Sequence, residues 1–187
     1  MEVILKPCDV FMTRGPGLLS RAVRLFTRKI GEKRTMVNHV GLVVEEGNLR
    51  SSVVVEALTK VKRHRLWIHY GPPKKDSVAV FRPRNLNEEE RKTIIAEVES
   101  QVGRKYAYFM LFVHLLDWFL LGAYVFRRIA RTGEYPICSW VVAHAFSKAG
   151  KDFGVEPGEA QPDDIWDFIT EKRPELYEKI YPLAPLA

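Results

Sequence analysis

Two apolar, β-branched stretches flanking Gly47 and Asn48 constrain the fold more than any other feature of the sequence. Residues 37–44 and 52–58 each have the length and composition of a strand, and the Gly-Asn pair between them signals a turn, so together they predict a β-hairpin. Further short strands are predicted at residues 3–5, 10–13 and 78–81.

Helical patterns follow the strands along most of the chain. They are predicted at residues 18–30, 86–102, 137–149 and 163–170. Strands that come first, with helices gathered around them, predict an α+β fold in which an antiparallel sheet packs against helices. A length of 187 residues, of which 47% are hydrophobic, suits one domain spanning residues 1–187. A hydrophobic helical insertion at about 106–126 and a short C-terminal tail complete that prediction.

Cys138 lies at the predicted start of a helix, two residues after Pro136. At this position the unpaired backbone N–H groups and the helix dipole favour a thiolate, and the same N–H groups can hold an oxyanion. The alternative is a buried structural cysteine, because free cysteines are among the most buried residues. With only one other cysteine, Cys8, the chain has no disulfide framework, and both thiols are expected to be reduced.

His39 is the histidine best placed to act as the base for this thiol. It stands in a predicted strand with Gly41 two residues on, and we expect the glycine to leave room for a substrate or a facing helix. Glu56 lies inside the next apolar strand, where a carboxylate needs a partner, and the hairpin would bring it to His39. His144 should point to another side of its helix, and the region of His64 and His69 is predicted to be a surface loop.

The order of these segments resembles a known superfamily. Residues 9–15 (DVFMTRG), 38–43 (NHVGLV) and 55–57 (VEA), followed by Cys138 and Ser139, resemble the NlpC/P60 superfamily. Because His39 precedes Cys138, the chain looks most like the circularly permuted branch, the YiiX-like papain-fold proteins, which also includes relatives of lecithin retinol acyltransferase.

This resemblance implies a circularly permuted papain-like fold in which Cys138 is the nucleophile, His39 the base and Glu56 the orienting acid. It also implies that Tyr106 lines the site. Asn38 and Ser139, which adjoin the site residues, are predicted to bind substrate with it. Two positions depart from the family pattern. Cys8 replaces a turn glycine, which we expect to be tolerated with a negative φ, and Ala107 replaces an aspartate.

Residues 106–126 form the most hydrophobic stretch of the chain and are flanked by basic residues. Their length suits a membrane span, but His114 and Asp117 near the middle argue against one. The stretch is therefore predicted to be a core helix with a lid, or a surface that docks on membranes. Asp117 is a second, weaker candidate for the third site residue.

A net charge of +6 favours anionic partners, such as a phospholipid surface. The chain contains no nucleic-acid-binding motif, and we expect neither a cofactor nor a metal. The first residues lack the pattern of a secretory signal, so we expect a cytoplasmic protein with possible membrane association.

The sequence thus predicts a cysteine hydrolase that cleaves an amide or peptide bond in a peptide or N-acyl small molecule, through a thioester. The alternatives are a lipid-directed acyltransferase or thioesterase at a membrane surface, and a non-catalytic binding module with the same fold.

Overall fold

An antiparallel sheet of six strands forms the centre of the fold. The computed structural model describes residues 3–14, 36–71, 77–105 and 137–182. In chain order, its strands are β1 (Ile4–Leu5), β2 (Val10–Thr13), β3 (His39–Glu45), β4 (Gly47–Asn48), β5 (Val53–Ala57), β6 (Val61–Arg65), β7 (Val78–Pro83) and β8 (Tyr177–Tyr181). Strands β1 and β4 pair separately, and the other six are ordered β6-β5-β3-β2-β7-β8. Every neighbouring pair is antiparallel.

Helices pack against both faces of this sheet. They are α1 (Leu66–Tyr70), α2 (Glu88–Ser100), α3 (Cys138–Lys148) and α4 (Pro162–Asp167), and a π-helical turn (Phe168–Lys172) and a 3₁₀ turn (Pro174–Leu176) follow. Helix α2 begins with a capping box, in which the Asn87 side chain accepts from the Glu90 N–H at 2.9 Å and the Glu90 carboxylate accepts from the Asn87 N–H at 2.8 Å. Helix α3 packs against α2, β3 and β5.

Alternation along the strands divides the core between the two faces of the sheet. Val40 and Leu42 of β3 join the larger cluster with helices α2, α3 and α4, whereas Val43 faces the smaller cluster together with Phe11 and Leu66. The predicted α+β architecture, an antiparallel sheet packed against helices, is therefore confirmed.

The turn between β1 and β2 adopts a conformation that differs from the prediction. Cys8 has φ of +73°, in the left-handed region, where we expected a negative φ. Its N–H donates to the Val43 carbonyl at 2.9 Å, and its side chain is fully buried. The next residue, Asp9, accepts two hydrogen bonds from Arg82 of β7, each of 2.8 Å. These contacts hold the cysteine in a conformation that glycine adopts at little cost.

Both edge strands of the sheet differ from the sequence prediction. Strand β6 and helix α1 replace the surface loop predicted around His64 and His69, and β8 lies where only a tail was predicted. The predicted helix at residues 18–30 and the apolar stretch at 106–126 lie outside the described residues. Within the described ranges, no helix combines the length and hydrophobicity that a membrane span requires.

Candidate functional site

His39 and Glu56 meet where strand β3 begins. Strands β3 and β5 pair with Leu42 opposite Val55, which brings the first residue of β3 towards the last residues of β5. His39 Nε2 donates a hydrogen bond to Glu56 Oε2. The imidazole is 13% exposed and the carboxylate is fully buried. The predicted hairpin therefore places an imidazole and a carboxylate in direct contact.

Helix α3 brings Cys138 to the same end of the sheet. Cys138 is the first residue of the helix, and its N-cap, Ile137, makes no side-chain capping bond that would compete for the first backbone N–H groups. The thiol is hydrogen-bonded to His39 and faces the backbone N–H groups of Val40 and Ser139. Because Glu56 occupies Nε2 of His39, Nδ1 is the ring nitrogen that remains for the sulfur.

These contacts favour the charged forms of the thiol and the imidazole. Burial alone would raise the pKa of Cys138, but the charge of His39 and the hydrogen bonds to the sulfur lower it below its usual value. Burial likewise disfavours the imidazolium, yet Cys138 and Glu56 outweigh it and raise the pKa of His39 to about 10. Both shifts favour a thiolate–imidazolium pair over the neutral pair.

Glu56 is stabilised by three donors from three different elements. Besides His39, Tyr70 of α1 donates its hydroxyl to Oε2 at 2.7 Å, and His64 of β6 donates from Nε2 to Oε1 at 2.7 Å. Burial would raise the pKa of Glu56, but the charge and hydrogen bonds of these rings hold it well below its usual value. The carboxylate therefore stays ionised although it is buried.

Sequence reasoning missed His64 and Tyr70. In the β5–β6 register His64 pairs with Val54, so it shares a face with Glu56 as a diagonal neighbour. The available signal was Glu56 itself, because a carboxylate inside an apolar strand needs donors from its neighbours. A short connection at residues 58–60, followed by alternating residues, would have placed His64 on that face.

Gly41 supports the site in a different way from the prediction. We expected the glycine to leave room for a substrate or a helix, but the side chains of Phe11 and Glu56 fill the space beside it. A Cβ atom at this position would lie 2.5 Å from Phe11 Cζ and 2.9 Å from Glu56 Cβ. The glycine therefore allows the ring of Phe11 to cross the strand beside the carboxylate.

The remaining residues considered in the sequence analysis lie outside the Cys138–His39–Glu56 contacts or outside the described residues. Asn38 is half-buried and immediately precedes β3. Ser139 is fully buried, and its hydroxyl donates to the Ala160 carbonyl at 2.6 Å, so this side chain holds the segment before α4 and is not available to a substrate. His144 stacks on Trp140 with ring centroids 4.5 Å apart, and its Nε2 faces Glu97 at 3.4 Å. Tyr106, His114 and Asp117 lie outside the described residues.

No protein-family model and no curated protein matches the chain. Among solved structures, the chain is similar to the metalloprotein YiiX from Escherichia coli O157:H7. The TM-score is 0.55 and the identity 17%, and the alignment covers 94% of this chain and 88% of that one. This similarity shows a YiiX-like, papain-like fold, in agreement with the fold that the sequence predicts.

The described part of the chain contains no cluster of three or more His, Cys, Asp or Glu side chains arranged to hold a metal ion. Within the site itself, both oxygens of Glu56 are already occupied by the three ring donors. Its donor set is thus engaged in hydrogen bonds rather than open for coordination.

Proposed function

We propose that this protein is a cysteine hydrolase that cleaves an amide or peptide bond through a thioester acyl-enzyme. The observation that carries the proposal is the continuous chain of contacts from the Cys138 thiol through the His39 ring to the buried Glu56 carboxylate. A nucleophile beside a base, with the base oriented by a third group, is the arrangement that acyl transfer requires.

In the first half of the reaction, the Cys138 thiolate attacks the carbonyl carbon of the scissile bond and forms a tetrahedral intermediate. The backbone N–H of Cys138, at the first position of α3, donates to the oxygen that becomes negative. His39 then gives its Nδ1 proton to the leaving amine nitrogen, the carbon–nitrogen bond breaks, and a thioester remains on the sulfur.

In the second half, neutral His39 removes a proton from water, and the hydroxide attacks the thioester carbonyl. The carbon–sulfur bond breaks, the carboxylic acid leaves, and the thiolate–imidazolium pair is restored. Throughout both halves Glu56 accepts from Nε2, which fixes the ring so that Nδ1 faces the sulfur.

No step of this proposal uses a metal. The similar structure is described as that of a metalloprotein, whereas the described residues of this chain include no group of three or more His, Cys, Asp or Glu side chains placed to hold a metal ion.

Trapping the acyl-enzyme tests the proposal. The protein is incubated with a panel of N-acyl and dipeptidyl p-nitroanilides and the corresponding p-nitrophenyl esters, and the intact mass is recorded before and after hydroxylamine treatment. We expect one hydroxylamine-sensitive acyl group on Cys138. Cys138→Ala should abolish it, and His39→Gln should slow its formation by about 10²–10⁴-fold.

Cys8→Ala is the matched control because it removes the other thiol, and it should leave acylation intact. The proposal is wrong if Cys138→Ala releases p-nitroaniline as fast as the natural sequence, or if the acyl group is found only on another residue.

A further inference from the structure

The two histidines that contact Glu56 have different hydrogen-bond partners. His64 Nε2 faces Glu56 Oε1 at 2.7 Å, and its Nδ1 faces the Arg65 carbonyl oxygen at 2.9 Å. Both partners are acceptors once Glu56 is ionised. A neutral imidazole has only one N–H, so a ring that satisfies both contacts must be an imidazolium.

His39 is not constrained in this way. Its Nε2 also faces a carboxylate oxygen, but its other partner is the Cys138 thiol, which can donate as S–H or accept as a thiolate. His39 can therefore take up and release a proton, whereas either change at His64 leaves an acceptor without its donor.

We propose that His64 is a positioning residue that acts as a fixed positive charge behind Glu56. In the charged state of the site, the Cys138 thiolate and the Glu56 carboxylate carry two negative charges, which the imidazolium rings of His39 and His64 balance. This assignment deepens the proposed function, and the role of His64 in catalysis rests on that function. The positive charge of His64 is argued from its two hydrogen-bond acceptors alone.

The surroundings of His64 are consistent with a charged ring. Its side chain is 11% exposed. Burial alone would lower its pKa, but the hydrogen bonds to Glu56 and to the Arg65 carbonyl outweigh burial and raise it. On its own strand, Lys62 opposes the charge. From α1, the His69 ring meets it edge-on at 4.6 Å, and Tyr70 shares its carboxylate. Glu56 is the only carboxylate it contacts within the described residues.

A fixed charge at this position has a defined effect on the thiol. A nearby positive charge stabilises a thiolate, so removal of the charge should make Cys138 harder to ionise. Without the positive charge of His64, the negative charge of Glu56 would also act more strongly on His39, and the His39 imidazolium would hold its proton more firmly. Loss of the His64 charge should therefore raise the pKa of both groups.

Alkylation of Cys138 by iodoacetamide, measured against pH, tests this effect. We expect His64→Gln, whose amide can still donate to Glu56, to move the midpoint of the acid limb up by about 0.5 pH unit, with little change in the plateau rate. His144→Gln is the matched control, since it removes a histidine that faces another carboxylate, Glu97, at 3.4 Å. It should leave the midpoint unmoved.

Nitrogen-15 NMR of the natural sequence gives an independent readout that needs no variant. We expect both ring nitrogens of His64 to carry protons at pH 7.5. A neutral His64 at that pH, or a His64→Gln variant whose midpoint matches that of the natural sequence, would overturn the inference. If no acyl-enzyme forms but the midpoint shifts and His64 is charged, the proposed function fails and this inference stands.

Discussion

The buried carboxylate of Glu56 is the group that orients the three rings around it. A carboxylate in an apolar strand is costly unless donors replace the water it loses, and here His39, His64 and Tyr70 replace it. The arrangement is reciprocal, because the carboxylate also fixes the direction of each ring. Loss of Glu56 would leave three ring donors without an acceptor in a buried pocket.

The two thiols of the chain provide a test at the scale of single residues. The pKa of Cys138 is lowered by its contacts with His39, whereas burial raises the pKa of Cys8 to about 12. At pH 7 a stoichiometric amount of iodoacetamide should therefore label Cys138 alone, which peptide mass spectrometry would show. In guanidinium chloride both thiols should label at similar rates.

Preferential labelling of Cys8 in the folded protein would contradict this expectation. The variant His39→Gln offers a further check, because removal of the imidazolium should slow labelling of Cys138 at pH 7 without exposing Cys8.

Three of the residues that meet at the site could be predicted from the sequence, because each broke a local rule. Cys138 stood at a helix start, His39 in an apolar strand, and Glu56 inside the next strand. His64 and Tyr70 broke no such rule. A histidine and a tyrosine in a basic stretch are ordinary surface residues until the register of β6 and the start of α1 place them over Glu56.

At the scale of the elements, the central strands pack closely enough to fix the site. In the β2–β3 register Phe11 lies opposite Gly41, so the phenyl ring occupies the space that a side chain would otherwise take. The same ring lies 6.4 Å from His39 and 5.7 Å from Tyr70, between ring centroids. Phe11 thereby supports both the base and one of the donors to Glu56.

Gly41→Ala tests this packing. The new methyl group would overlap Phe11 and the Cβ of Glu56, so we expect a loss of about 1–3 kcal/mol in the free energy of unfolding. Because Glu56 must move, alkylation of Cys138 at pH 7 should also slow. Gly158→Ala is the matched control, since a Cβ there meets nothing within 4 Å, and it should change neither quantity. Equal effects of the two substitutions, measured by urea unfolding, would rule out the packing argument.

The strands that sequence patterns identified are central, and those they missed are at the edges. Strands β3, β5 and β7 each contain two or more buried valines and β2 is buried throughout, so alternation and β-branching identify these strands directly. Strands β6 and β8 occupy the two edges of the sheet and carry charged residues such as Lys62, Arg63 and Glu178. Charged side chains protect a sheet edge from pairing with another chain. The same charged residues interrupt the apolar alternation by which a strand is recognised in a sequence.

At the scale of the whole molecule, protonation of the site is coupled to folding. In the unfolded chain, between the ordinary pKa values of 6.5 for imidazole and 9.0 for the thiol, the Cys138–His39 pair holds one proton, on sulfur. A thiolate–imidazolium pair in the folded protein also holds one, on the imidazole. Such a pair takes up no net proton on folding in this range, so it adds no pH dependence to the free energy of unfolding.

Glu56 and His64 change the free energy of unfolding in different pH ranges, Glu56 in acid and His64 above pH 6.5. The pKa of Glu56 is lowered, so its stabilising contribution is complete above the usual carboxyl value and is lost as the pH falls through the folded value. The pKa of His64 is raised, so its contribution is complete below pH 6.5 and is lost as the pH rises through the folded value. As the pH rises from 6.5 through the folded pKa of His64, loss of this proton lowers the free energy of unfolding.

This coupling predicts how the free energy of unfolding of His64→Gln differs from that of the natural sequence. Above pH 6.5 the natural protein holds a proton on His64 that the unfolded chain has lost, so its free energy of unfolding should fall by up to about 1.4 kcal/mol per pH unit. His64→Gln cannot bind that proton. The advantage of the natural sequence over the variant should therefore shrink as the pH rises from 6.5 through the folded pKa of His64, as measured by urea unfolding at half-unit intervals. Groups common to both proteins cancel in the difference, so an advantage that stays constant with pH would mean that His64 is neutral in the folded protein.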